Sequence, residues 1–106
     1  MSTSFQLQNN TLKELPHNIE AEQGILGAIL LNNEIFFDIS EAINVEHFYE
    51  PVHKLIFDVI GKMISKGQIA TPITLKSFFE VEKNLEEIGG SNYLVRLANS
   101  AVSLDY

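Results

Sequence analysis

Apolar residues in this chain recur at intervals of three and four, the spacing of amphipathic helices. The clearest stretch follows Pro51, a residue suited to the first helical position because its missing N–H is not needed there. Lys66 and Gly67 then supply a cation in the last turn and a glycine just beyond it. The sequence therefore predicts a long helix between these points. Its inward face consists of Val52, Leu55, Ile56, Val59, Ile60, Met63 and Ile64.

The first helix is predicted to begin at Asn18, whose side chain can cap it. Glu20 and Glu22 follow in the first turn, where acidic groups favour the helix dipole. Gly24 and Gly27 interrupt this helix at a cost of about 1 kcal/mol each relative to alanine. Small residues inside a helix usually allow close packing, so a large residue at Gly27 should cost about 1–3 kcal/mol. The inward stripe is Ile25, Leu26, Ile29 and Leu30.

Two shorter helices are predicted on either side of the long one. Asn33 can cap a helix over 34–43, and a short turn over 46–49 follows it. After a loop over 67–72, Thr74 can cap a helix. Helical spacing and few basic neighbours favour the core over base stacking for the aromatic residues. These are Phe36, Phe37, Phe48, Tyr49, Phe57, Phe78 and Phe79.

The Gly89-Gly90 pair breaks the chain again, and Ser91 or Asn92 can open a last helix. No run of β-branched or aromatic residues alternates as a half-buried strand would. The sequence therefore predicts an all-α fold, a compact bundle of about five helices and a short turn around one core. Residues 1–15 are polar and lack a sustained period, which predicts a flexible N-terminal leader before a helical domain over 16–106.

Composition narrows the classes of function. The 106 residues suit one domain, and a net charge of −7 argues against direct binding of nucleic acid by this chain. Cysteine is absent, which excludes disulfides, thiolate metal sites and thiol catalysis. Because no signal-peptide pattern and no apolar run near the roughly 20 residues of a membrane span is visible, we expect a cytoplasmic protein.

The sequence offers few residues for catalysis or ligand binding. Gly89-Gly90 precedes a helix, where backbone amides can hold an anion, but no lysine follows and a helix-breaking turn is the better interpretation. His47 and His53 are six residues apart, about 120° off one helix face, so they cannot chelate a metal as a pair spaced i, i+4 on a helix would. We interpret His53 as a histidine of the helix surface. No catalytic, cofactor-binding or metal-binding residue is therefore predicted.

Four blocks of residues resemble, in their order and spacing, the sequence pattern of a known protein family. The first is Ile19-Glu20-Ala21-Glu22-Gln23, followed by Leu26-Gly27-Ala28 and Leu30. The second is Phe48-Tyr49 with His53 and Ile56-Phe57, and the third is Ile73-Thr74-Leu75. The last is Leu85-Glu86-Glu87-Ile88-Gly89-Gly90 with Tyr93-Leu94. Together they cover about residues 16–98 and resemble the N-terminal domain of the bacterial replicative DNA helicases, the DnaB family. Two positions depart from the family pattern. Thr71 stands where an aspartate is usual, and Val102-Ser103 where Pro-Thr is common.

The resemblance implies a helical head domain that works by contact and is not itself an enzyme. In this family such domains pair into a collar on a homohexameric ring and receive the C-terminal helicase-binding domain of primase. The parent protein would be an ATP-dependent helicase that uses ATP and Mg²⁺ in a RecA-like domain. That domain, with a helical hairpin and a linker, is expected to be absent from this chain. We therefore expect no cofactor here, and neither nucleic acid nor membrane as a direct partner.

Two residues within the matched blocks are candidates for a partner surface. Glu20 lies at a helix start, and Tyr93 combines apolar area with a hydroxyl, as interface anchors commonly do. The alternative is that Glu20 serves only the helix terminus and Tyr93 only the core. The glutamates between 80 and 87 are either a solvated surface or an acidic docking surface. Without the family, a free-standing acidic helical adaptor with unrelated partners would be the alternative function.

Overall fold

Five α-helices and two 3-10 turns make up most of the computed structural model, which describes residues 18–82 and 86–101. The helices are α1 (Ile19–Leu31), α2 (Ile35–Ala42), α3 (Pro51–Ser65), α4 (Pro72–Val81) and α5 (Gly90–Ser100). The 3-10 turns are Val45–His47 and Glu86–Ile88. No strand occurs in the two described ranges, and the predicted all-α fold is confirmed. The predicted leader over 1–15 and the departure at Val102-Ser103 lie outside them.

The core lies between α1, α3, α4 and α5, with α1 and α5 in the most extensive contact. The helical periodicity identified most of its members correctly, and α2 adds only partly buried side chains. The core residues with no more than 1% exposure are Leu26, Ile29, Ile56, Ile60, Ala70, Leu75, Phe79, Ile88, Leu94 and Leu97.

Two aromatic residues that were predicted in the core are exposed. Phe36 packs against Phe57, with ring centroids 5.4 Å apart, and the next residue of α2 points about 100° away from it. Phe37 is therefore 59% exposed. Tyr49 precedes α3 and is 50% exposed. The core prediction is wrong for Phe37 and Tyr49, because neither position belongs to an inward helical stripe.

Gly27 sits where α1 crosses α5. A Cβ atom built on this glycine would lie 1.9 Å from the carbonyl oxygen of Leu97 and 3.0 Å from the backbone nitrogen of Ala101. These obstructing atoms belong to the backbone and cannot rotate away. The two helices therefore meet at a distance that only glycine permits.

The predicted cap at Asn33 is wrong, because this side chain holds a loop in place instead. Its Nδ2 donates to the carbonyl oxygens of Ile29 at 2.8 Å and Ala70 at 2.9 Å, while its Oδ1 accepts from the Ala70 N–H at 2.7 Å. Ala70 is fully buried, so its backbone groups need such a partner. Helix α2 has Glu34 at its N-cap, without a side-chain hydrogen bond.

The predicted cap at Thr74 is displaced by three residues. Helix α4 begins at Pro72, and its N-cap is Thr71, whose Oγ1 accepts from the Thr74 N–H at 3.1 Å. Thr74 returns the interaction, since its Oγ1 accepts from the Thr71 N–H at 2.8 Å. This reciprocal capping box gives Thr71 the capping role that a short oxygen-bearing side chain such as aspartate can perform.

The N-termini of α1 and α5 are formed in two different ways. Asn18 caps α1 through Oδ1, which accepts from the Ala21 N–H at 3.3 Å. Helix α5 starts at Gly90, one or two residues before the predicted opening at Ser91 or Asn92, and has Gly89 as its N-cap. Gly89 and Gly90 have φ angles of +95° and +79°, a left-handed conformation that favours glycine. This pair therefore turns the chain into α5.

Candidate protein-interaction site

A buried carboxylate joins α1 to the start of α3. Glu22 is only 1% exposed, and its Oε2 accepts from the Tyr49 N–H at 2.6 Å. Its Oε1 accepts from the Glu50 N–H at 3.3 Å and lies 2.7 Å from Nδ1 of His53. The carboxylate thus faces the N-terminus of α3, where the helix dipole favours negative charge. The position of Glu22 in the sequence indicated only a favourable interaction with the dipole of its own helix. In the structure, Glu22 also binds the start of α3.

His53 continues this chain of hydrogen bonds towards α5. In the neutral imidazole, the ring proton is assigned to Nδ1, which faces a carboxylate oxygen, and Nε2 is an acceptor. The Tyr93 hydroxyl lies 2.5 Å from Nε2 and donates to it in this tautomer. The two rings are also stacked, with centroids 5.9 Å apart and planes 9° from parallel. One side chain thus links helices α3 and α5.

The interpretation of His53 as a surface residue is wrong, because its exposure is 0%. A signal for burial was present in the sequence. His53 lies three residues before Ile56, four before Phe57 and seven before Ile60, so it extends their inward face by one turn. Periodicity could have located the histidine in the core, but it could not have identified the partner that satisfies it.

Tyr93 ends the hydrogen-bonded chain on α5. Its hydroxyl oxygen accepts from Nε2 of Gln23 on α1 at 3.1 Å, so it has partners on two other helices. Burial raises the pKa of Tyr93 above its ordinary value; the Gln23 hydrogen bond opposes this effect, and the charge of Glu50 adds to it. We call the side chains of Glu22, His53, Tyr93 and Gln23 the Glu–His–Tyr network.

The network has the order of acid, base and hydroxyl found in some hydrolases, but its chemistry differs. A nucleophilic hydroxyl needs activation, whereas burial raises the pKa of Tyr93 and so favours its neutral form. His47 is separate, since its Nδ1 accepts from the Asn44 N–H at 3.0 Å. Within residues 18–82 and 86–101, no group of three or more histidine, aspartate or glutamate side chains could hold a metal ion. The hydrogen bonds that hold the Tyr93 hydroxyl to α1 and α3 favour an orienting role for the network.

Glu20 lies beside the network on α1. It is exposed, and it precedes Gln23 by three residues, so the two share one side of the helix. Gln23 in turn contacts the hydroxyl of the partly buried Tyr93. Of the two residues singled out from the sequence, Tyr93 thus contacts Gln23, and Glu20 lies on the same side of α1 as Gln23. We call Glu20, Gln23 and Tyr93 the α1–α5 surface.

An apolar groove of about 750 Å³ lies between the end of α3 and α4. Ile69, Ile73 and Val81 contribute side chains that are 67%, 76% and 75% exposed. The sequence pattern did not indicate this surface. Clustered exposed apolar side chains commonly mark contacts with other proteins. The groove is lined by Met63, Gln68, Ile69, Ile73, Thr74, Ser77, Phe78, Val81 and Glu82.

No helix in the part of the chain that the structure describes is long and apolar enough to cross a membrane.

Comparisons with known proteins all relate this chain to the same group of proteins. The model of the DnaB-like helicase N terminal domain family matches residues 14–106. The replicative DNA helicase DnaB of Rickettsia typhi is 52% identical over 83 residues, which are 78% of this chain and 17% of that protein. The protein of the same name from Buchnera aphidicola (subspecies Acyrthosiphon pisum) is 36% identical over 96 residues, 91% of this chain and 21% of that one.

This chain therefore spans about a fifth of the length of these curated relatives. A solved structure also resembles it, the N-terminal domain of DnaB helicase from Mycobacterium tuberculosis. That comparison has a TM-score of 0.76 at 30% sequence identity, and it covers 80% of this chain and 59% of the other. Because the family model covers nearly all residues and the folds agree, this chain belongs to the DnaB-like helicase N-terminal domain family.

Proposed function

We propose that this chain is a non-catalytic assembly and protein-interaction domain of a hexameric replicative DNA helicase. It supports the collar of the ring and docks the C-terminal helicase-binding domain of primase during DNA replication. The parent helicase hydrolyses ATP with Mg²⁺ in a separate ATPase domain. The observation that carries this proposal is the match of residues 14–106 to the N-terminal domain of DnaB-like helicases.

The α1–α5 surface is the proposed primase contact. Glu20 is exposed, and Tyr93 is a partly exposed aromatic residue, the kind of residue that anchors many protein interfaces. The net charge of −7 suits a partner protein better than a phosphate backbone. The exposed apolar groove also supports the proposal that this chain works through contacts with other proteins.

A calorimetric titration with the C-terminal domain of primase tests this proposal. Tyr93→Ala should weaken binding by about 30-fold, which corresponds to the roughly 2 kcal/mol of an interface hot spot. Glu20→Ala should weaken it less, because an exposed charge contributes little to affinity. Phe37→Ala is the matched control, since it removes an aromatic ring that is 59% exposed on α2, outside the α1–α5 surface.

Circular dichroism must show that each variant keeps its helical fold. If folded Tyr93→Ala binds primase as tightly as the unaltered chain, Tyr93 serves only the core and the proposed contact surface is wrong. Single-stranded DNA should neither bind the chain at near-physiological salt nor displace primase. A robust DNA complex would contradict the argument from charge.

A further inference from the structure

Tyr93 is unusually constrained for a side chain on a proposed contact surface. Its ring lies nearly parallel to the ring of His53, with an interplanar angle of 9°. Its hydroxyl is held from α3 by His53 and from α1 by Gln23. The orientation of this tyrosine is thus determined from two other helices.

The residues that impose this orientation cannot themselves reach a partner. His53 is 0% exposed and Glu22 is 1% exposed. The carboxylate of Glu22 is held in turn by the N–H groups of Tyr49 and Glu50. Two backbone N–H groups therefore position Glu22, Glu22 positions the imidazole of His53, and His53 positions Tyr93.

The hydrogen bonds that Tyr93 makes within the domain also determine which of its atoms can contact a partner. A tyrosine hydroxyl has one proton, and in the assigned tautomer that proton goes to Nε2 of His53. The hydroxyl oxygen already accepts from Gln23. The donor of Tyr93 and one of its acceptor sites are thus occupied within the domain, so the hydroxyl has no proton to donate to a partner, and the ring face away from His53 is the main apolar surface left for intermolecular contact.

We infer that Glu22 and His53 are positioning residues, which hold the Tyr93 ring in its binding orientation and direct its hydroxyl inward. This inference rests on the proposed function and deepens it by assigning the primase contact to the ring rather than to the hydroxyl. A side chain that is already ordered loses less rotational freedom on binding. Releasing Tyr93 from the network should therefore weaken primase binding by about three- to tenfold, with the ring still present.

Calorimetric titration of a double-mutant cycle tests the inference. In His53→Gln, an amide can replace only one ring nitrogen and cannot stack, so binding should weaken by about three- to tenfold. Tyr93→Phe should cause a similar loss, because it keeps the ring and removes its tether. Once Tyr93 is phenylalanine, His53→Gln should cause little further loss, since the link between the two residues is already broken. A second full loss in that background would mean a general structural defect and would overturn the inference.

Nitrogen-15 NMR of the unaltered chain supplies a readout that does not depend on binding. His53 should carry its proton on Nδ1 and have an unprotonated Nε2. The opposite tautomer would leave the Tyr93 proton free for a partner and would overturn the inference even if His53→Gln fails to fold. The proposed function fails separately. If Tyr93→Ala binds normally, the contact surface is wrong, whereas weak binding by Tyr93→Ala with normal binding by folded His53→Gln refutes only the positioning role.

Discussion

Helices α1 and α5 are joined at two levels, and the two contacts are built in opposite ways. Near the start of α1, the Gln23 side chain reaches the Tyr93 hydroxyl across 3.1 Å, and Glu22 reaches the same hydroxyl through His53. About one turn farther on, Gly27 has no side chain at all, and a Cβ atom there would lie 1.9 Å from the Leu97 oxygen.

In this helix pair, the distance between the two backbones and the orientation of Tyr93 are therefore determined by different kinds of contact. The glycine contact is steric, so it determines how closely the backbones approach but says little about side-chain direction. The hydrogen bonds of the network are directional, so they determine where Tyr93 points. Substitutions at the two levels should therefore differ in size and in kind.

The largest effect is expected at the glycine contact. Gly27→Leu should lower the free energy of unfolding by more than about 3 kcal/mol, the usual upper end for overpacking. The sequence alone indicated about 1–3 kcal/mol, and we raise this value because the obstructing Leu97 oxygen belongs to the backbone. Thermal melting followed by circular dichroism should show a decrease of more than about 10 °C. An unchanged melting curve would refute the close contact.

Gly61 provides the matched control for this substitution. It also lies inside a helix, but the atoms nearest to a Cβ there would be Cζ, Cε1 and Cε2 of the Phe36 ring, with Cζ at 3.1 Å, and that end of a side chain can shift. Alanine also gains up to about 1 kcal/mol of helix propensity over glycine. Gly61→Ala should therefore stay within about 1 kcal/mol of the unaltered chain. Gly27→Ala should be clearly less stable.

An intermediate effect is expected at the buried acid. Glu22→Ala leaves the Nδ1–H of His53 and two backbone N–H groups without their acceptor, which should cost about 2–3 kcal/mol. Urea denaturation measures this loss as a lower midpoint. Glu20→Ala removes an exposed carboxylate one half-turn away on the same helix and should lower the midpoint much less, by the small contribution of a charge to the helix dipole. Equal midpoints for the two alanine variants would show that the network contributes nothing to stability.

The smallest effect is expected from alkaline titration of Tyr93. Burial raises the pKa of this residue in the folded chain, so the unfolded chain releases the phenolic proton first as pH rises above about 10. The contribution of Tyr93 to stability is thus fully present below that pH and is lost as pH increases towards the folded pKa. Urea midpoints between about pH 9 and 11 should fall more steeply for the unaltered chain than for Tyr93→Phe. Parallel curves would contradict the raised pKa.

Local signals in the sequence predicted the helices well. The long helix α3 starts at Pro51 and has Lys66 as its C-cap, and Gly67 follows with a φ of +78°. Periodicity identified its inward face because that pattern repeats within a single element. The cap at Thr71 was missed although Pro72, at the first helical position, was a signal for it. Threonines at both 71 and 74 can supply a capping oxygen, and in the structure each caps through the other.

The Glu–His–Tyr network could not be predicted from one sequence. Glu22 and His53 are separated by 31 residues, and His53 and Tyr93 by 40, so no local spacing joins them. A glutamate in the first turn of a helix already has an adequate local explanation in the helix dipole. The pairing depends on how three helices pack. Asn33 is a similar case, since its partner Ala70 lies 37 residues away.

Sedimentation velocity of this chain, with and without the C-terminal domain of primase, tests the central claim most directly. The claim is that this helical domain works by contact with proteins. It predicts a faster-sedimenting complex at micromolar concentrations that single-stranded DNA leaves unchanged. If the two proteins sediment independently, or if DNA alone shifts the chain, the claim is contradicted.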